Sequence, residues 1–502
     1  MKGPRLNLWG VILSLLLCQV SALTVTERQV FQPRDLNPLQ TTPLFGSVVA
    51  ISSDEAYLAM AYPGFSLDRT TTATGKVDIY RVNETLNEYS YLQTIGTFGT
   101  ADHFGAIGLK FFQDKGKTEL YVSAVGTPLG DTGNLLQNQD MRGSLVIYQV
   151  NDETGLFNIK TVINASTPGL ENLTPRPLEG TNVEVGAKFG LSFDISEKGD
   201  WLVVGALGQN VTNSSTGIEY WEAGAAYVFR RNNINHSWTF GQQIVRPNNI
   251  VSNFSYFGFE VAISGKWMFI SDANSLAVLP DEPPKRENGI VYIYQRKGNT
   301  WEYHSSLISD QSQSVSDLYG ISDVFGCSMS ASGDWLLVGS CFYSNDAMTQ
   351  GAAFFYHLEP LPRVGKTWVL KQKVTSDLPA PRNLFGVFYV KISDRRAVIS
   401  DLSRQVGNNL YQGAVQVFEL DNYDEWQRAA VITYSNGTKY DFFGNGVDLG
   451  GRDSRLVLAG PNALQDIVLG AVLGIGPNVR PFTPNPDPPF TPGYAVLFQL
   501  ED

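Results

Sequence analysis

Seven times along this chain a Phe-Gly pair opens an apolar run. A tight polar turn leads from it into a second run, and a later Gly opens a third that ends in an aromatic residue. The Phe-Gly pairs of these units stand at 45–46, 104–105, 189–190, 257–258, 325–326, 385–386 and 443–444. The answering runs occupy 75–80, 143–148, 224–229, 289–294, 351–356, 413–418 and 493–498. Self-similarity at a near-constant period constrains a fold more than any local propensity, because each unit must bury its apolar faces against copies of itself.

The middle of each unit repeats as well: YLAMA at 57–61, WLVVG at 201–205, WMFIS at 267–271, WLLVG at 335–339 and LVLAG at 456–460. Such short β-branched and aromatic runs, bounded by Gly, Ser, Asn and Asp, read as strands. A fourth run, often led by Trp, follows most units, at Trp238, Trp301, Trp368 and Trp426. Four short strands repeated seven times predict an all-β, seven-bladed β-propeller with four antiparallel strands per blade. The chain ends just after the third run of unit seven, while a spare run at 23–33 precedes unit one. An open ring would leave an unpaired edge, so residues 25–31 are expected to pair antiparallel with 494–499 and close it.

The Phe-Gly start, the VVGAL run at 203–207 and the GAVQVF run at 413–418 resemble the FG-GAP repeat, which builds the propeller head of integrin α subunits. The resemblance covers nearly all of the chain after its leader. It implies an extracellular adhesion or recognition platform, and the loops after the first strands are where family members hold calcium. Here those turns are short. The longest, 113–119, keeps Asp114 and Glu119 but places Lys115 and Lys117 among them. No metal and no cofactor are expected.

Residues 1–22 read as a signal peptide: Lys2 and Arg5, an apolar stretch over 6–20, then small residues to Ala22. The stretch is short for a membrane anchor, so no transmembrane segment is expected after cleavage. Residues 23–502 form the propeller, and the chain is expected to be secreted. Eight Asn-x-Ser/Thr sequons, at Asn83, Asn164, Asn172, Asn210, Asn213, Asn235, Asn253 and Asn436, agree with that compartment. Net charge is −12 without a basic cluster, which gives no support for nucleic-acid binding.

Outside the leader the only cysteines are Cys327 and Cys341. A hairpin turn at Ser332 and Gly333 places Cys327 opposite Val338, so a disulfide needs a bulge or a diagonal reach. A disulfide and two buried thiols both remain open.

Loops between second and third runs are long in every unit, and in an up-and-down blade they share one face with the between-blade connections. Function is expected there. The candidate binding residues are Asp102, His103, Tyr220 and Trp221, with Ile467, Val468, Leu469, Val472 and Leu473 in the longest loop, 460–493. Of the four histidines only His103 sits on such a connection, and no hydrolase or phosphate-loop motif occurs. The chain is therefore expected not to be an enzyme but to bind an extracellular protein or glycan through its loop-rich face. Two alternatives stand beside this: a secreted carbohydrate-active enzyme with acids in the central funnel, and a structural component of an extracellular assembly. Small or polar residues along the first runs, such as Asp194, Ser330 and Asp448, are expected to line a solvated axial channel.

Overall fold

The computed structural model describes residues 23–34, 45–62, 75–96, 104–124, 142–173, 176–177, 184–213, 215–247, 253–273, 289–309, 323–345, 348–362, 365–378, 383–393, 395–461 and 493–501. Within them lie seven four-stranded antiparallel sheets, the blades of a ring, and three two-stranded ribbons. Each Phe-Gly opens or just precedes the innermost strand of its blade. In blade three, for example, the strands run Phe193–Ile195, Trp201–Ala206, Ala225–Arg231 and Trp238–Ile244 from the axis outwards.

The second strands are buried throughout except at Lys117, whereas the fourth strands are mostly exposed or half-buried. This is what a radial sheet requires when both faces pack on neighbours and only its outer edge meets water. The apolar core accordingly divides into wedges, one between each pair of adjacent blades. Tryptophans reach across these wedges edge to face: Trp201 meets Trp301, Trp267 meets Trp368, and Trp335 meets Trp426.

The Phe-Gly pairs and the answering glycines are the two halves of one joint between blades. Gly224, which opens the third strand of blade three, forms a parallel bridge to Phe257 of blade four. A Cβ at Gly224 would lie 2.0 Å from the Phe257 carbonyl oxygen, and its φ is +83°. Only glycine meets both demands. The same bridge joins Gly143 to Phe189, Gly351 to Phe385, Gly413 to Phe443 and, across the closure, Gly493 to Phe45. The repeat signature is therefore an inter-blade contact rather than a property of a blade alone.

The ring closes through the N-terminal strand. Thr24–Phe31 pairs antiparallel with Ala495–Glu501, from Thr24 opposite Glu501 to Phe31 opposite Ala495, with a bulge between Glu27 and Gln29. Gln29 then bonds both the N–H and the carbonyl of Tyr89 in blade one, each at 2.8 Å. Gln93, Gln242 and Gln372 make the same two-bond clasp to Phe157, Trp301 and Trp426 of their following blades.

Cys327 and Cys341 form a disulfide, with Cα atoms 6.1 Å apart. The register expected from a Ser332–Gly333 turn is corrected: Met329, not Cys327, lies opposite Val338, and Ser332 pairs with Trp335. The ladder shifts between Phe325 and Ser328. That bulge swings Cys327 to the end of the neighbouring strand. His357 does not end its strand but sits inside Ala352–Leu361.

Candidate functional site

The innermost strand of each blade has a free edge, and its N–H groups need acceptors. Three blades supply them to the next blade around the axis. Asp194 Oδ2 of blade three accepts from Ile263 N at 2.9 Å, and Asp448 Oδ2 of blade seven from Ile51 N at 2.9 Å. Ser330 Oγ of blade five accepts from Ile392 N at 3.2 Å. These residues sit at equivalent positions, each opposite the third residue of the adjoining second-strand ladder: Val203, Leu337 and Leu458.

The other blades place Ala50, Lys110, Ala262 and Lys391 at that level. In blades two and six the ring residue stands five positions after the Phe-Gly glycine, against four elsewhere, as Lys110 after Gly105 and Lys391 after Gly386 show. Both blades carry one extra residue, and both turn a lysine into the channel. Lys110 forms an ion pair with Asp194, whose Oδ1 also accepts from Ile195 N. Burial works against the charge on Lys110, yet Asp194, with Asp448 and Glu197 farther off, more than restores it and holds the ammonium above its ordinary pKa. The Lys391 ammonium lies 3.7 Å from Asp448 Oδ1, an ion pair beyond hydrogen-bond length. The lysine side chains are 40% and 34% exposed, so solvent reaches this level of the axis.

One turn of chain nearer the loop face, blades three and five carry Ser192 and Ser328. Their hydroxyls donate to the carbonyls of Gly258 and Gly386 in the following blades. Blade four has Glu260 at this position, with its backbone N–H bonded to Ser271 Oγ. Burial pushes the Glu260 carboxyl up to about 8. Lys391 opposes the shift, Asp194 adds to it, and the Val261 N–H favours the charged form. Charges from both blade three and blade six thus act on this carboxyl. Tyr389 of blade six has its phenol raised, first by burial and then by Glu260. The channel thus holds a carboxyl that burial pushes toward its protonated form beside carboxylates that pair with lysines.

The residues singled out from the sequence lie elsewhere. Tyr220 ends a two-stranded ribbon of blade three, where it pairs with Val211, and the N–H of Trp221 in the following turn donates to Asn253 Oδ1 at 2.8 Å. Asp102, His103, Ile467, Val468, Leu469, Val472 and Leu473 lie outside the described residues. Among the sequons, Asn172, Asn235, Asn253 and Asn436 are exposed, and Asn83, Asn164, Asn210 and Asn213 are half-buried.

Asp114 and Glu119 do not face an open loop. Arg231 of blade three binds both, at 2.7 and 2.8 Å, and also the Tyr121 hydroxyl. Among the described residues no three His, Cys, Asp or Glu side chains converge as metal ligands, and no helix is long and apolar enough to cross a membrane.

Asp194, Ser330 and Asp448 were readable as inward polar residues, but Lys110, Lys391 and Glu260 were not. Counting from Phe-Gly misplaces both lysines by the inserted residue; counting back from the second strand would have aligned them. Glu260 stands out only once its Ser counterparts in FGLS and FGCS are set beside FGFE.

No protein-family model matches the chain, and no curated protein matches it. FG-GAP membership is therefore not shown. Solved propeller structures do resemble it. One, from Bacteroides uniformis and named as a candidate 6-phosphogluconolactonase, has a TM-score of 0.47 at 11% identity, over 81% of this chain and 89% of that one. The periplasmic gluconolactonase of Pseudomonas aeruginosa gives 0.45 at 12%, over 79% and 87%. Sqt1 of Saccharomyces cerevisiae gives 0.43 at 8%, over 92% and 98%. At these values the likeness is one of fold. The expectation that the chain is not an enzyme is corrected here: proteins named as lactonases share this architecture, so the propeller gives no ground for excluding catalysis.

Proposed function

We propose that this chain is a hydrolase that cleaves a carbohydrate C–O bond in its axial channel, with Glu260 as the proton donor. One feature carries the reading: Glu260 stands where blades three and five place serines, and burial pushes its carboxyl up to about 8. A carboxyl held toward its protonated form beside others paired with lysines divides the labour of acid and base. In the hydrolytic step Glu260 gives its proton to the departing sugar oxygen as the C–O bond breaks. A water attacks the carbon and passes its proton to Asp448, the less engaged of the two ring carboxylates. One water is consumed, and proton exchange with solvent restores both groups. Secretion, with residues 1–22 removed, and glycosylation of the exposed sequons belong to the same proposal.

The test is a panel of chromogenic glycosides, neutral and acidic, assayed with the full chain and with Glu260→Gln. Loss of a general acid costs about 10²- to 10⁴-fold in kcat, with the unfolding midpoint unchanged. Wild-type activity should fall as pH rises through about 8, where the acid form is lost. No turnover by the wild type on the panel, or full activity in Glu260→Gln, refutes the reading.

A further inference from the structure

The seven blades act as internal controls on one another, and they separate residues the ring needs from residues it does not. At the ring level, blades one and four have Ala50 and Ala262, so a methyl suffices for packing there. The free-edge N–H groups of blades one, four and six are capped by Asp448, Asp194 and Ser330 of the preceding blades. Blade six, whose own N–H is capped by Ser330, carries Lys391 at a level where blades one and four carry only a methyl.

The two ring lysines differ in what they have left to offer. Lys110 bonds directly to Asp194. Among the described residues Lys391 makes no hydrogen bond. Its nearest acid, Asp448, is 3.7 Å away and already accepts from Ile51 N through its other oxygen. Beside it, the Ser330 oxygen accepts from Ile392 N, which leaves the hydroxyl proton to donate. Two donors from adjacent blades thus remain at the ring level, the Ser330 hydroxyl of blade five and the Lys391 ammonium of blade six, and Lys391 also acts on the Glu260 carboxyl of blade four.

We propose that this cluster binds the carboxylate of an acidic sugar, with Lys391 as the residue that selects for the charge. The proposal rests on the hydrolase reading for its context and names the substrate class of that site. A carboxylate suits the cluster better than a phosphate. Asp194 and Asp448 already engage most of the positive charge in the channel, and the single loosely held ammonium left over matches the charge of a monoanion.

The groups facing Glu260 are Lys391, Asp194 and Tyr389, with Lys110 and Asp448 completing the ring. Ionisation of Glu260 places a second carboxylate beside the ligand's. Binding should therefore weaken as pH rises through about 8.

The experiment is calorimetric titration of the full chain with D-glucuronate, D-glucose and D-glucose 6-phosphate at pH 6.5 and pH 9. Glucuronate should bind at least about ten-fold more tightly than glucose at pH 6.5, one ion-pair contact in a partly shielded site. Lys391→Met should bring the two within about two-fold of each other, and Glu260→Gln should remove the pH dependence. Equal binding of glucuronate and glucose by the wild type overturns the proposal without any variant. Preference for the phosphate, or discrimination retained in Lys391→Met, overturns it too. These are binding readouts, so they stay distinct from the hydrolase reading. Selective binding without turnover sinks only the latter, and turnover of neutral and acidic glycosides alike sinks only the former.

Discussion

Replacing Phe31 by Ala tests whether the first strand is a working member of blade seven. Phe31 is 3% exposed and lies in the wedge between blades seven and one, among Leu458, Ala495 and Leu497 on one side and Phe45, Tyr62 and Tyr80 on the other. Its ring meets that of Tyr80 edge to face at 4.8 Å. Truncating a buried Phe to Ala costs about 3–5 kcal/mol, the sum of lost transfer energy and the cavity left behind. Unfolding entropy of about 2.1 cal/mol/K per residue, over roughly 480 residues, makes each kcal/mol worth about 1 °C if the ring melts as one unit. The expected fall in Tm is thus about 3–5 °C, better resolved as a shift in urea midpoint read by tryptophan fluorescence. Val30 is the matched control: it is the adjacent residue of the same strand, but 36% exposed. Val30→Ala should cost under about 1 kcal/mol. If the two variants melt alike, the strand is not packed as a blade member and the closure argument fails.

Two further outcomes follow from buried contacts elsewhere. Arg231→Met should destabilise by about 3–5 kcal/mol, because it leaves the fully buried Glu119 carboxylate with Lys160 as its one cation and the Tyr121 hydroxyl as its other partner. Burial works against the Glu119 charge, but Arg231 and Lys160 overcome it and hold the pKa below its ordinary value. The wild type therefore has this stabilisation in full above about pH 4.3, the unfolded value, and loses it as pH falls through the folded one. Arg231→Met should flatten that acid limb in a stability-against-pH series, and an unchanged limb would count against the assignment. Gly224→Ala should be severe, since its methyl would strike the Phe257 carbonyl, whereas Gly265→Ala at a similar positive φ meets nothing within 4 Å. The latter should cost only about 1–2 kcal/mol of backbone strain. Equal costs in denaturant unfolding would show that the glycines serve φ alone and not the blade joint.

How far the sequence could be read followed from what each feature does physically. Phe-Gly and its answering glycine were legible because one contact, the bridge of Gly224 to Phe257 and its counterparts, forces the same residues in every blade. The closing strand was legible for a similar reason: a free edge at blade seven demands a partner, and 23–33 looks like the fourth strands. The disulfide was not settled, because a bulge between Phe325 and Ser328 moves Cys327 away from the position that a regular hairpin assigns to it. Pairing is set by backbone irregularity there, and irregularity leaves little trace in composition.

The channel was harder for a deeper reason. Attention went to the long loops, where a propeller often carries its function, while the groups with uncommitted chemistry lie on the most regular element of all. Regularity itself is what identifies them. Where Ser192 and Ser328 serve the joint to the following blade, Glu260 does not. Where Ala50 and Ala262 satisfy the ring, Lys391 exceeds the need. Both lysines arrive with a one-residue insertion that widens a bulge the inner strands of blades four and five also carry, the register shifting from Phe104 to Leu109 and from Phe385 to Val390. In blade six the chain passes through Phe388 at φ +63°, a conformation unfavourable for a bulky side chain. Blade six accepts that strain where Lys391 reaches the ring level, beside Ser330 of blade five and Asp448 of blade seven. Strain alone does not establish function. In the proposed carboxylate site the inserted residue that bends the strand is also what delivers the charge, so Lys391→Met should remove the ion pair to Asp448 and the discrimination together.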